Sequence, residues 1–175
     1  ARLDILQAVL PFRPQRTAGL LSSLESEGSI ASHEGGRRVA MRHARLKTLV
    51  YGMIGEGRRE SHLLIASRMA ECPGVHTFGD LQELAFQFRE GGEDAASVRW
   101  LEAAADEGMR ISASRRAKEL FTEAVALATG SPSESLGRLR TKLAACLLTC
   151  GEFREATGLA EQLLQKDDLD VGQQG

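Results

Sequence analysis

Apolar residues recur along this chain mostly at helical spacing, and the places where the spacing fails divide it into elements. Leu3, Leu6 and Leu10 keep the helical period until Pro11 breaks it, and Pro14 suits the first position of a second helix. That second helix carries Leu20, Leu21 and Leu24 as its stripe, and Gly28 supplies a left-handed stop. Ile30-Ala31-Ser32-His33 and the run from Arg37 to Met41 then flank Glu34-Gly35-Gly36, which predicts a hairpin. A third helix from His43 to Met53 should bury Leu46, Leu49 and Val50, after which Gly52, Gly55 and Gly57 loosen the chain.

From Arg58 to Leu164 the pattern predicts six antiparallel helices, broken at Pro73-Gly74, Gly91-Gly92, Arg110 to Ser112, Gly130-Ser131-Pro132 and Gly151. The stripes are His62, Ile65, Ala66 and Met69; Leu81, Leu84, Ala85 and Phe88; Ala113, Ala117, Leu120, Phe121 and Ala124; Leu136, Leu139, Leu143 and Leu147; Phe153, Ala156, Ala160 and Leu163. Alanines among the larger residues let neighbouring helices nest closely, as solenoid repeats require. The expected fold is mainly α: a small degenerate winged-helix module with one hairpin over residues 1–56, then an antiparallel α–α superhelix over 57–165. Residues 166–175 are polar and read as a flexible tail.

Composition narrows the classes. Aromatics make up 5% of the 175 residues, which disfavours an all-β fold. The apolar stretches fall short of the roughly 20 residues that a bilayer needs. Residues 1–56 hold 8 basic and 5 acidic side chains and the remainder 14 and 19, an asymmetry that also points to two modules. Cys72, Cys146 and Cys150 are an odd number at no disulfide-framework spacing, so a reduced, cytoplasmic location is the expectation. The chain starts within a helical pattern without Met, as a piece of a longer protein would.

The tetratricopeptide repeat has a period of about 34 residues and two helices per repeat. Leu143-Ala144, Leu147, Gly151, Ala156, Ala160 and Leu163 resemble one such repeat; Ala117, Phe121 and Ala124 resemble a second helix. Leu84-Ala85, Phe88, Gly92 and Leu101 match with Ser97 where Ala is usual. A larger resemblance is to the winged-helix and tetratricopeptide-like regulatory segment behind the nucleotide-binding domain of bacterial STAND-type ATPases. Met41-Arg42-His43, Val50-Tyr51, Arg58-Arg59 with His62, and Leu84-Ala85 with Phe88 follow that family's motifs in order. Met41 replaces the usual aromatic, and Ala44 stands where many members have Asp.

The resemblance implies a regulatory, non-catalytic segment whose cofactor, ATP or ADP, belongs to the full-length parent. The chain itself contains no Gly-x-x-x-x-Gly-Lys-Ser/Thr loop to cradle phosphates. The implied partners are the NTPase domain of the same polypeptide and a protein or peptide at the repeats, with no membrane. The implied nucleotide-sensing residue is His43, which would contact the ADP β-phosphate; the alternative is a capping or structural histidine. If the first helix of each repeat lines a groove, Gln82, Phe86, Arg89, Arg138 and Thr141 face a partner there, or else form a solvated face.

A competing class is a DNA-binding transcription regulator with a helical oligomerisation domain, using Arg13, Arg16, Arg37 and Arg38. Against it stand Glu25 and Glu27 at the end of the recognition helix. Cys146 and Cys150 share a helical face but lack a third ligand, so they read as small buried hydrophobes and no metal site is expected. His33, His76, Ser22 and Ser61 have no nucleophile spacing around them, a hydrolase based on His62 or Cys72 is remote, and Trp100 reads as core.

Overall fold

The computed structural model describes residues 2–172 apart from 11, 34, 54, 73–76 and 131–132, and describes no side chains at 8, 9, 47, 133, 134 and 165–172. Among the described residues the protein is mainly helical, with one two-stranded antiparallel hairpin, and no helix is long and apolar enough to cross a membrane. It divides into two units, Ala1–Pro73 and Gly74–Gly175.

In the first unit, Asp4 holds the start of α1 (Leu3–Val9) by accepting from the Ile5 N–H at 2.9 Å and from the Arg2 guanidinium at 2.6 Å. Pro14 opens α2 (Pro14–Ser26) at its first turn, where a missing N–H costs nothing. Gly28, at φ 74°, ends it: the Gly28 N–H donates to the Glu25 carbonyl and the Ser29 N–H to the Leu24 carbonyl. β1 (Ile30–His33) and β2 (Arg38–Met41) then pair with Ile30 opposite Met41 and His33 opposite Arg38. β2 starts at Arg38 rather than the expected Arg37, whose carbonyl instead accepts from the Leu3 N–H at 2.8 Å. The Glu25 carboxylate ties α2 to the hairpin by accepting from the Ser32 N–H and hydroxyl.

α3 (Ala44–Met53) begins one residue after His43, and a 3-10 turn at Gly55–Gly57 leads into α4 (Arg58–Glu71). α4 packs against α1, so the first unit runs on to Pro73 instead of ending at residue 56. The glycines that suggested a boundary serve a turn inside the unit. The expected buried face of α3 is also not buried: Leu49 is 65% exposed and Val50 38%. Leu46 is half-buried as expected, and so is Tyr51, which faces α4 through His62. Ile5, Thr17, Ile30, Ala66 and Met69 are this unit's buried residues beside His62.

The second unit is a stack of α5 (Phe78–Glu90), α6 (Asp94–Arg110), α7 (Ser114–Leu127), α8 (Ser133–Thr149) and α9 (Phe153–Gly172). Sequence neighbours pack in succession, α5 on α6 through to α8 on α9. Three connections use one device. A residue with positive φ, at Gly92 (79°), Ser112 (62°) and Gly151 (79°), lets the next N–H reach back to the carbonyls of Phe88, Gly108 and Leu147. Thr77 and Asp80 form a reciprocal cap on α5, each side chain accepting from the other's backbone N–H at 3.2 Å.

Leu81, Ala85, Ala104, Ala105, Ala117, Phe121, Ala124 and Leu139 fill this core, and small residues set how close the helices come. Gly108 is the tightest point, since a Cβ there would stand 3.2 Å from Ala117 and 3.1 Å from Phe78. Ser97, buried to 1% exposure, donates its hydroxyl to the Ala85 carbonyl and so joins α6 to α5. Trp100 is partly buried against the core. One expectation for α9 is corrected: Phe153 is 65% exposed and Ala160 exposed, leaving Ala156 and Leu159 as the contacts to the core. The helix itself runs to Gly172.

Candidate functional site

In the first unit, the residues quoted separately as motifs converge. The Tyr51 hydroxyl lies 2.7 Å from His62 Nε2, with the two rings edge to face at 5.7 Å between centroids. The Arg58 guanidinium lies 4.2 Å over the Tyr51 ring and donates to the Tyr51 carbonyl at 3.2 Å. Arg58 Nε is buried and makes no hydrogen bond. The 3-10 turn at Gly55–Gly57 precedes α4, which returns with Arg58 and His62 against the tyrosine. A buried histidine, a phenol and a cation over an aromatic face make a rigid joint between α3 and α4. No group of three or more potential metal ligands occurs among the described residues.

The other first-unit candidates lie apart from this joint. His43 is exposed in the short link between β2 and α3. Arg13 is exposed at the start of α2, Arg16 rests 4.9 Å over the Phe12 ring, Arg37 is exposed and Arg38 half-buried in the hairpin. His33 and Ser22 are exposed, the Ser61 hydroxyl donates to the Gly57 carbonyl at 2.8 Å, and His76 lies outside the described residues. The three cysteines are free, with Cys72 and Cys150 half-buried. Cys146 is buried, donates to the Ser114 carbonyl at 3.4 Å, and has its thiol pushed up to about 11 by burial and by neighbouring Cys150, so it is not a thiolate at neutral pH.

In the second unit, side-chain bonds between helices recur at nearly constant sequence separation. Arg116 donates to Gln82 at 2.9 Å across 34 residues, and Arg89 pairs with Glu123 across 34. Lys118 donates to Glu152 at 2.6 Å across 34. On the other row, Arg138 reaches Glu102 at 2.8 Å and Lys142 reaches Asp106 at 2.6 Å, each across 36. Every second helix is therefore linked: α5 to α7 and the start of α9, and α6 to α8.

That alternation splits the predicted groove. Gln82, Phe86 and Arg89 stand on α5 in the first row, whereas Arg138 and Thr141 stand on α8 in the second. The repeat frame that made both α5 and α8 first helices is out of phase with the stacking, because α8 is the third helix after α5 and a two-helix repeat returns to an equivalent position only after an even number of steps. Gln82 and Arg89 are engaged with α7, Arg138 with Glu102, and the Thr141 hydroxyl with the Gly137 carbonyl at 3.0 Å. Phe86 is 42% exposed.

One concavity among the described residues was not predicted. A groove of about 610 Å³ runs between α7 and α9 over α8, floored by Ala126, Leu143 and Leu147 and rimmed by Glu119, Glu123, Glu155 and Lys118. Lys118, by donating to Glu152, holds that carboxyl below the usual range, and Glu152 raises Lys118 in turn. Glu155 is pushed up by the hydrogen bond it shares with Glu152 and then by that group's charge. Its signal in the sequence was the 34-residue register itself, which puts Glu123 opposite uncharged Thr157 where α5 and α7 are bridged by Arg89.

Comparison with known proteins finds no family model that matches the chain and no matching curated relative.

Proposed function

We propose that this chain is a non-catalytic regulatory and protein-interaction segment of a STAND-type signalling ATPase. Its first unit acts as a degenerate winged helix on the nucleotide switch, and its second docks a protein partner on tetratricopeptide-like repeats. The observation that carries this reading is the ladder of side-chain bonds at separations of 34 and 36 residues, the period of a two-helix repeat. The first unit adds the order helix, helix, hairpin, helix, and exposes Leu49, Val50 and Met53 on α3 as a surface for a neighbouring domain. His43, exposed beside that helix, is free to meet a phosphate.

The experiment is calorimetric ADP binding to the full-length parent with His43 and with His43→Ala. Loss of about 1–3 kcal/mol of affinity in a folded variant supports the switch role. Unchanged affinity returns His43 to a structural role and overturns that part of the reading.

A further inference from the structure

The row formed by α5, α7 and α9 is bridged unevenly. Between α5 and α7 two rungs cross, Gln82 to Arg116 and Arg89 to Glu123. Between α7 and α9 the described residues provide one, Lys118 to Glu152, at the end where α9 begins. One repeat on from Arg89 and Glu123, the partner of Glu123 is Thr157, whose hydroxyl donates to its own helix at the Phe153 carbonyl, 2.9 Å away. The missing rung leaves the groove open, and its floor is the apolar surface of Ala126, Leu143 and Leu147. The groove is open to solvent along its length and has a volume of about 610 Å³.

The rim says what would fill it. Glu119 is held by Arg116 at 2.5 Å, Glu123 by Arg89 and Glu152 by Lys118. Glu155 makes no ion pair among the described residues: the neighbouring Glu152 carboxylate raises it, and the nearest cation, Lys118, acts on it only through its charge while bonded to Glu152. The groove therefore offers an apolar floor beside a carboxylate that shares its nearest cation with Glu152 and has no bonded counter-ion of its own. The whole unit leans the same way, with 11 basic and 17 acidic side chains over residues 74–175. An incoming cation would relieve the repulsion between Glu155 and Glu152, while an incoming anion would add to it.

We infer that the groove between α7 and α9 docks a short basic segment of a partner protein, its aliphatic side chains entering over Leu143 and Leu147 and its Lys or Arg pairing with Glu155. This rests on the reading of the second unit as a docking scaffold and deepens it by naming the class of partner. Binding would be tightest at low salt, since the pair at the rim is exposed to screening ions.

The test is fluorescence anisotropy with the full chain and three labelled peptides: leucine–lysine, leucine–glutamate and serine–lysine. The expected result is tight binding of the leucine–lysine peptide alone. Two variants probe the site without touching the buried core. Glu155→Lys should weaken binding about tenfold, and Ala126→Trp, which fills the groove from an exposed position, should weaken it at least as much. Glu27→Lys, an equal change of charge at an exposed position of the first unit, should leave it unchanged. Equal binding of the serine–lysine peptide, or insensitivity to both groove variants, overturns the inference by reducing it to bulk attraction. Binding of the leucine–glutamate peptide that Ala126→Trp abolishes overturns the basic specificity but keeps the repeats as a docking scaffold; binding of none of the three overturns both.

Discussion

Lys118 of α7 donates a 2.6 Å hydrogen bond to Glu152 at the foot of α9, 34 residues further along the chain. The spacing equals that of the bonds from Arg116 to Gln82 and from Arg89 to Glu123, so a single register sets which surface residues meet across the row. These exposed pairs contribute little to stability individually. Their consequence is positional: they fix how far α7 slides past α5 and α9, and hence where the groove opens.

On the opposite row, Glu102 is better shielded than these carboxylates and makes a pH prediction. Glu102 is only 13% exposed at its side chain and accepts from both Lys142 and Arg138 at 2.8 Å. Burial alone would raise its carboxyl, but the two hydrogen-bonding cations outweigh burial and hold it below the usual carboxylate range. A folded-state value below the unfolded one means that its contribution is present at neutral pH and is lost as pH falls through the folded value. Glu102→Gln should therefore cost about 1–2 kcal/mol in urea unfolding at pH 7, and the difference from the parent chain should shrink by pH 3. A constant difference across that range would show that Glu102 acts through packing instead.

The helix connections yield a stabilising substitution. Ser112 takes the same left-handed place between α6 and α7 that glycine takes between α5 and α6 and between α8 and α9. A side chain at φ 62° is strained by the contact of Cβ with the backbone, a cost that glycine avoids. Ser112→Gly should raise stability by about 0.5–1 kcal/mol, whereas Gly92→Ala, the reverse change at the equivalent turn, should lower it by about 1 kcal/mol. Thermal unfolding of the two variants checks the sign of each.

Much of this was readable beforehand where one element decides its own face. The stripes of α7 and α8 are buried as their spacing requires, and Gly28, Gly92 and Gly151 end their helices. Burial at a terminal element was not readable, because it depends on what packs next: Phe153 and Ala160 on α9, and Leu49 and Val50 on α3, have the right spacing and no covering helix in their own unit. The site was lost for a related reason. Gln82, Phe86, Arg89, Arg138 and Thr141 were grouped by likeness to a repeat frame, while the helices stack by alternation, which puts α5 and α8 in different rows. Likewise Tyr51 and His62 were each visible as motif residues, but the 2.7 Å contact between them needed the turn at Gly55–Gly57.

That difference between spacing and burial predicts unequal costs for two similar truncations. Phe121, at 2% exposure in the centre of the stack, should cost about 3–5 kcal/mol as Phe121→Ala, through lost burial and an unfilled cavity. Leu49→Ser, at 65% exposure on α3, should fall within about 0.5 kcal/mol of the parent chain. A large cost at Leu49 would mean that another surface covers α3 in solution.

The joint between α3 and α4 gives the last prediction. Tyr51 contributes two things there: a ring under Arg58 and a hydroxyl against His62. Tyr51→Phe keeps the ring and removes the hydroxyl, so it should cost about 1 kcal/mol, the net worth of one buried hydrogen bond. Tyr51→Ala removes both, and also uncovers the Arg58 guanidinium, so it should cost more and should loosen α4 against α3. Hydrogen exchange separates the cases: the phenylalanine variant should keep protection of the amides in the first turns of α4, and the alanine variant should lose it while α6 and α7 stay protected. Equal loss in both variants would assign the joint to the hydroxyl alone and make the stacked cation incidental.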